Sequence, residues 1–135
     1  MNASMTIGQA AEASGISRKM IRYYEETGLL PPARRSESGY RYYDQAAVEQ
    51  MQFIKRARDM GFSLERVGQL MSLWHDDKRH SADVKALAQQ YIAELDENIA
   101  QMQAMRNELR DWVDHCHGDD RPECAIIDHL KPHAD

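Results

Sequence analysis

Cys116 and Cys124 are the side chains of this 135-residue chain whose type and spacing most directly offer chemistry. Seven residues separate them. That gap is too long for a zinc-knuckle or thioredoxin-like pair, and no further cysteines exist to complete a four-sulfur site. Two thiolates closed by a loop make a two-coordinate soft site. Such a site suits one monovalent d10 ion such as Cu(I) better than a hard cation. On spacing alone, two incidental cysteines of a reducing compartment fit equally well. His115, His117, His129 and His133 flank the pair and offer donors for a mixed Cys/His Zn(II) shell, although such histidines are more often exposed helix-end residues. A His115–Cys116 catalytic dyad is a weaker reading. Adjacent helical residues point in different directions and no oxyanion pocket is apparent, so the chain is not expected to be an enzyme.

A second constellation is basic and aromatic. Arg18, Lys19 and Arg22 cluster with Tyr23, and Arg34, Arg35 and Arg41 lie near Tyr40. Forked donors and flat rings in this arrangement suit a recognition helix in a major groove and a wing on the phosphates. A solvated surface explains any one arginine, but all six cations on adjacent elements favour DNA. Ser17, at the start of that helix, and Gly39, in the turn of the wing, complete the expected DNA-facing set.

These residues need elements to position them. Thr6 with Gln9 has capping-box spacing for a helix from about Ile7, stopped at Ser14–Gly15. Ser17 caps a second helix with Met20, Ile21 and Tyr24 on its inner side, ended at Gly28. Together they form a helix-turn-helix pattern. After Leu29–Leu30–Pro31–Pro32, the turn at Ser38–Gly39 between strand-prone residues predicts a small β-hairpin. Asp44 caps a helix from Gln45 to Met60, and Ser63 caps one from Leu64 to Trp74.

The polar run His75–Asp76–Asp77–Lys78–Arg79–His80 marks the clearest boundary. Beyond it Val84, Tyr91, Asn98, Met105 and Trp112 recur every seven residues, with Ala88, Leu95, Met102 and Leu109 between them. Four such heptads predict a coiled-coil helix of ~30 residues, with Asn98 helping to fix register. So long a seam exceeds what a small domain can cover, and a second copy of the chain is its natural partner. Gly118 ends this helix, and Asp120, Pro122 and Glu123 predict the start of a short terminal helix with Cys124 in its first turn. The expected organisation is therefore a DNA-binding head over 1–74, a linker over 75–83, a dimerisation helix over 84–114, and a metal-binding loop and helix over 115–135.

Composition is consistent with this division. The net charge of −5 argues against nucleic acid only if it is evenly spread, and it is not: residues 1–72 carry +2 and residues 73–135 carry −7. No run approaches ~18 consecutive apolar residues, so no membrane-spanning helix is expected. No export signal is visible after Met1, and free thiols with eight methionines suit a cytosolic setting.

Ile7–Gly8–Gln9–Ala10–Ala11, Ser14–Gly15–Ile16–Ser17, Ile21–Arg22–Tyr23–Tyr24–Glu25, Gly28–Leu29 and Ser38–Gly39–Tyr40–Arg41–Tyr42 together resemble the winged-helix head of MerR-type regulators. His80–Ser81–Ala82–Asp83–Val84–Lys85 and Cys116–His117–Gly118–Asp119–Asp120–x3–Cys124–x–Ile126–Ile127 resemble the copper-sensing CueR/HmrR branch. The resemblance runs from about Met5 to Leu130. It implies a mainly α fold, in which a winged helix-turn-helix head precedes a long coiled-coil helix and a short metal-binding tail. It further implies a homodimer, joined by antiparallel long helices, on a palindromic double-stranded promoter. Effector binding would make that dimer distort the DNA, so that RNA polymerase is reached indirectly through the promoter. Cys116 and Cys124 become the ligands of one Cu(I), with Ag(I) and Au(I) undecided. Ser81 stands where divalent-metal branches carry a third cysteine, reaching in from the partner. Ala125 departs from the proline frequent among close relatives. A sensor of a divalent metal or of an oxidant, or a copper-buffering dimer without a DNA role, are the alternatives.

Overall fold

In the computed structural model, which describes residues 4–132, each N-terminal helix starts on the side chain the sequence marks for it. Thr6 accepts the Gln9 N–H at 3.2 Å, and the Gln9 side chain accepts the Thr6 N–H at 2.9 Å. This capping box opens α1, Ile7–Ser14. Ser17 accepts the Met20 N–H and opens α2, Arg18–Glu26. Asp44 caps α3, Gln45–Asp59, through the Ala47 N–H, and Ser63 caps α4, Leu64–Trp74, through the Arg66 N–H. Each cap satisfies a donor the helix cannot pair itself and contributes about 1 kcal/mol.

Val48, Met51, Ile54 and Ala57 are the buried residues of α3, and this stripe meets α1 and α4. With Ile21, Tyr24, Leu30, Tyr43 and Val67 they form the hydrophobic core of the head. Between α2 and α3 lie β1, Arg34–Arg35, and β2, Arg41–Tyr42, paired antiparallel with Arg34 opposite Tyr42 and Arg35 opposite Arg41. Gly39 turns the ribbon with φ 87°, a conformation side chains disfavour. Two strands of this length are not stable alone. The second is tied to the N-terminal segment by two hydrogen bonds between Met5 and Tyr43, at 2.8 and 2.9 Å.

A second unit begins at Ser81. It consists of α5, Ser81–Asp114, a 34-residue helix about 50 Å long, and α6, Ala125–Leu130, which packs on it. None of the residues of α5 is buried. Its heptad seam is flanked by a further apolar row, Ile92, Ile99 and Val113, all exposed. Among the described residues no helix is long and apolar enough to cross a membrane.

The structure departs from the sequence reading at the linker and in the second unit. Helix α5 starts at Ser81, not at Val84, and Asp83 in its first turn favours that start through the helix dipole. Ser81 is therefore the first residue of the helix. The polar stretch expected as a linker is folded into turns. The Asp76 and Arg79 N–H groups bond the Leu73 and Asp76 carbonyls, and the Lys78 N–H bonds the Asp76 carboxylate. Helix α6 starts at Ala125 and not near Asp120, so Cys124 is its N-cap and lies outside the first turn. Asp119 explains the delay: its carboxylate takes the Arg121 N–H at 3.0 Å and the Arg121 guanidinium at 2.9 Å, which bends the chain instead of coiling it.

Candidate functional site

Helix α2 turns Ile21 and Tyr24 into the core, which leaves Arg18, Lys19, Arg22 and Tyr23 exposed on its outer face. These three cations form no ion pair among the described residues. The Arg18 guanidinium lies across α1 at Gly8, where an added Cβ would stand 2.5 Å from Nη2. Gly8 therefore makes room for a candidate DNA contact, a role the sequence reading missed because its only signal is the missing side chain. The Ser17 hydroxyl is engaged as the α2 cap, accepting the Met20 N–H at 3.1 Å.

In the wing the basic side chains also bond within the head. Arg34 pairs with Asp44 at 3.3 Å, and Arg35 donates to the Gly39 carbonyl at 2.9 Å. Arg41 donates to Glu25 Oε2 at 2.6 Å, while the Tyr43 hydroxyl donates to Glu25 Oε1 at 2.5 Å. Burial first, then the bond to Glu25, pushes the Tyr43 pKa up to about 12. Tyr40, beside the Gly39 turn, is 75% exposed. The three wing arginines keep exposed surface, but each also has a structural partner.

The two thiols lie at the other unit's tail. Helix α5 ends at Asp114, and the Cys116 N–H bonds the Val113 carbonyl. Gly118, at φ 63°, and the Asp119–Arg121 pair then turn the chain back. This brings Cys124 Sγ to 3.4 Å from Cys116 Sγ, both free and half-buried. The Ile127 N–H, then the Cys116 thiol, then the Ile126 N–H hold the Cys124 thiol below its ordinary pKa. No capping hydrogen bond forms from the Cys124 side chain, so the N–H groups act on the sulfur chiefly as oriented dipoles.

The histidines are differently engaged. His129 stacks on Trp112 with ring centroids 4.8 Å apart, and its Nδ1 contacts the Ala125 carbonyl at 2.7 Å. His115 Nδ1 contacts the Asp111 carbonyl at 2.8 Å, and that contact, ahead of the Asp111 charge, raises its pKa. His117 is exposed, and His133 lies outside the described residues. Among the described residues no group of three or more His, Cys, Asp or Glu side chains is placed to hold a metal ion. The mixed Cys/His shell is therefore not assembled there. Ser81 begins α5, about 50 Å along the helix from its thiol end, so it cannot join Cys116 within one chain.

Comparison with known proteins gives concordant results. A model described as MerR HTH family regulatory protein matches residues 5–74, and one described as MerR, DNA binding matches residues 48–112. The chain is 52% identical over 126 residues to heavy metal-dependent transcription regulator 2 of Rhizobium meliloti (strain 1021), covering 93% of this chain and 86% of that one. It is 43% identical over 127 residues to the regulator CueR of Escherichia coli O157:H7, covering 94% of each. Among solved structures, the lead(II) complex of a transcription regulator from Ralstonia metallidurans CH34 superimposes with a TM-score of 0.82 at 30% identity, over 94% of this chain and 99% of that one.

Proposed function

The chain belongs to the MerR family of helix-turn-helix regulatory proteins, and on that premise we propose that its effector is a monovalent soft metal ion, Cu(I) before Ag(I) or Au(I), held by Cys116 and Cys124. It is a metal-responsive transcriptional regulator and not an enzyme. In this reading a homodimer binds promoter DNA through Arg18, Lys19, Arg22 and Tyr23 of α2 and through Arg34, Arg35, Tyr40 and Arg41 of the wing. Ser17 and Gly39 shape those two elements. The dimer forms along Val84, Tyr91, Leu95, Asn98, Met102, Met105, Leu109 and Trp112, and acts on RNA polymerase only through the promoter. A regulator of this kind works where the DNA is, so we place it in the cytoplasm.

One observation carries the choice of metal. Two free thiols stand 3.4 Å apart, and among the described residues no third donor joins them. A site of two sulfurs suits a soft monovalent ion, whereas zinc is almost always four-coordinate in structural sites. Bound there, the metal would offset one of the two thiolate charges and link the end of α5 to the start of α6. Ser81 then acts only from a partner chain that runs in the opposite direction. A copper buffer without a DNA role leaves the helix-turn-helix head unexplained. The test is a titration with chelator-buffered Cu(I) and with Zn(II). One Cu(I) per chain is expected, with Cys116→Ser or Cys124→Ser abolishing tight binding; a tighter Zn(II) complex would overturn the choice.

The same separation favours one second reading, an oxidant sensor. Hydrogen peroxide would take two electrons and two protons from the pair, leaving one disulfide and two waters. Unchanged DNA binding and a full count of free thiols after peroxide treatment would remove it.

A further inference from the structure

Glu25 is anomalous on α2. It is an acidic residue in the last turn, where the helix dipole opposes a negative charge. It also shares a helix with the side chains expected to enter the major groove, between phosphate rows that repel a carboxylate. Its side chain is only 7% exposed, and a charge so withdrawn from water is costly unless paired. Both oxygens are paired, one with the Arg41 guanidinium and the other with the Tyr43 hydroxyl, at 2.6 and 2.5 Å. Those donors come from β2 and the residue after it, 16 and 18 positions away in the chain. The carboxylate thus connects the recognition helix to a ribbon too short to hold itself in place. Arg41 remains 46% exposed, and its planar fork keeps further N–H donors for another partner.

We propose that Glu25 is a positioning residue for DNA recognition: it fixes the wing against α2 and orients the Arg41 guanidinium, setting the spacing between the groove contact and the phosphate contact. The role is independent of the metal, so it stands or falls apart from the identity of the effector. Glu25→Gln is the informative change. The amide keeps the size and accepts from Tyr43, but its NH2 group cannot accept from Arg41. Arg41 is then released as a mobile cation. Binding to unrelated DNA gains a phosphate contact, while the preorganisation that favours the right sequence is lost.

The test uses the full-length chain and two duplexes of equal length: one selected from a random pool by the unaltered protein, and one of mixed sequence. Affinities are measured over a range of salt. For Glu25→Gln, discrimination between the duplexes should fall about tenfold, the scale of one lost contact. On the mixed-sequence duplex, the slope of log affinity against log salt should steepen by about one. Arg41→Gln, a change at an exposed side chain, should lose similar discrimination with a shallower slope. Adding Glu25→Gln to it should then change little more. Equal weakening of both duplexes by Glu25→Gln at an unchanged slope would reduce Glu25 to a purely structural role and overturn the proposal. So would full additivity of the two changes. Should Glu25→Gln fail to fold, unchanged discrimination in Arg41→Gln would overturn it as well.

Discussion

Gly8 has to be glycine for Arg18 to rest where it does, because a methyl group there would stand 2.5 Å from the guanidinium. The neighbour is the free end of a flexible side chain, so it yields without disturbing the core. Gly8→Ala is therefore expected to stabilise α1 by about 0.5–1 kcal/mol through lower chain entropy, yet to weaken duplex binding by displacing Arg18. A raised melting temperature with reduced affinity checks both halves. Tyr43 titrates in a window set by its folded pKa of about 12 against the ordinary 10. Folding favours the protonated phenol, so that stabilisation is complete below pH 10 and is lost as pH rises from 10 to about 12. Melting temperatures of the protein and of Tyr43→Phe across this range should converge as pH rises. The sequence marks Arg41 as a cation of the wing but not as the partner of Glu25. That pairing spans 16 residues and depends on the path of the chain between them.

The N-terminal elements follow local rules closely. Asp44 serves two at once, capping α3 at the Ala47 N–H and pairing with Arg34 of β1. Asp44→Ala should cost about 1–2 kcal/mol, mostly from the lost cap, since an exposed ion pair adds little. Urea unfolding of the head measures it. Helix α6 is the element that local rules placed badly. Asp120, Pro122 and Glu123 carry the signals of a helix start, but Asp119 captures Arg121 first and holds a bend. That local pairing is settled by geometry that residue types do not reveal. The outcome puts Cys124 at the cap of α6, with its sulfur 3.4 Å from the other thiol.

At the scale of the molecule, α5 exposes Leu95, Ile99, Met102, Met105 and Leu109 along one 34-residue helix. Burying even part of such a row at about 25 cal/mol per Å2 is a large driving force, and a single chain leaves it wet. The proposed dimer predicts that Leu95→Asp with Met102→Asp gives a monomer in sedimentation velocity, with intact head folding and greatly weakened promoter binding. An unchanged dimer would move the interface elsewhere. The heptads were legible in the sequence. The flanking residues Ile92, Ile99 and Val113, in a row broken by Arg106, add exposed apolar surface beside the seam.

Residue order by itself determined the head: which side chains cap, which turn inward, where the ribbon bends, and that two thiols stand near the tail. Those outcomes depend on interactions within about four residues, where backbone geometry leaves few choices. Tertiary structure alone decided what the charges meet. It tied Arg41 and Tyr43 to Glu25 across a fold, rested Arg18 on Gly8, closed the Cys loop and stacked His129 on Trp112. Such contacts form between segments far apart in the chain, and their identity depends on how the core brings those segments together.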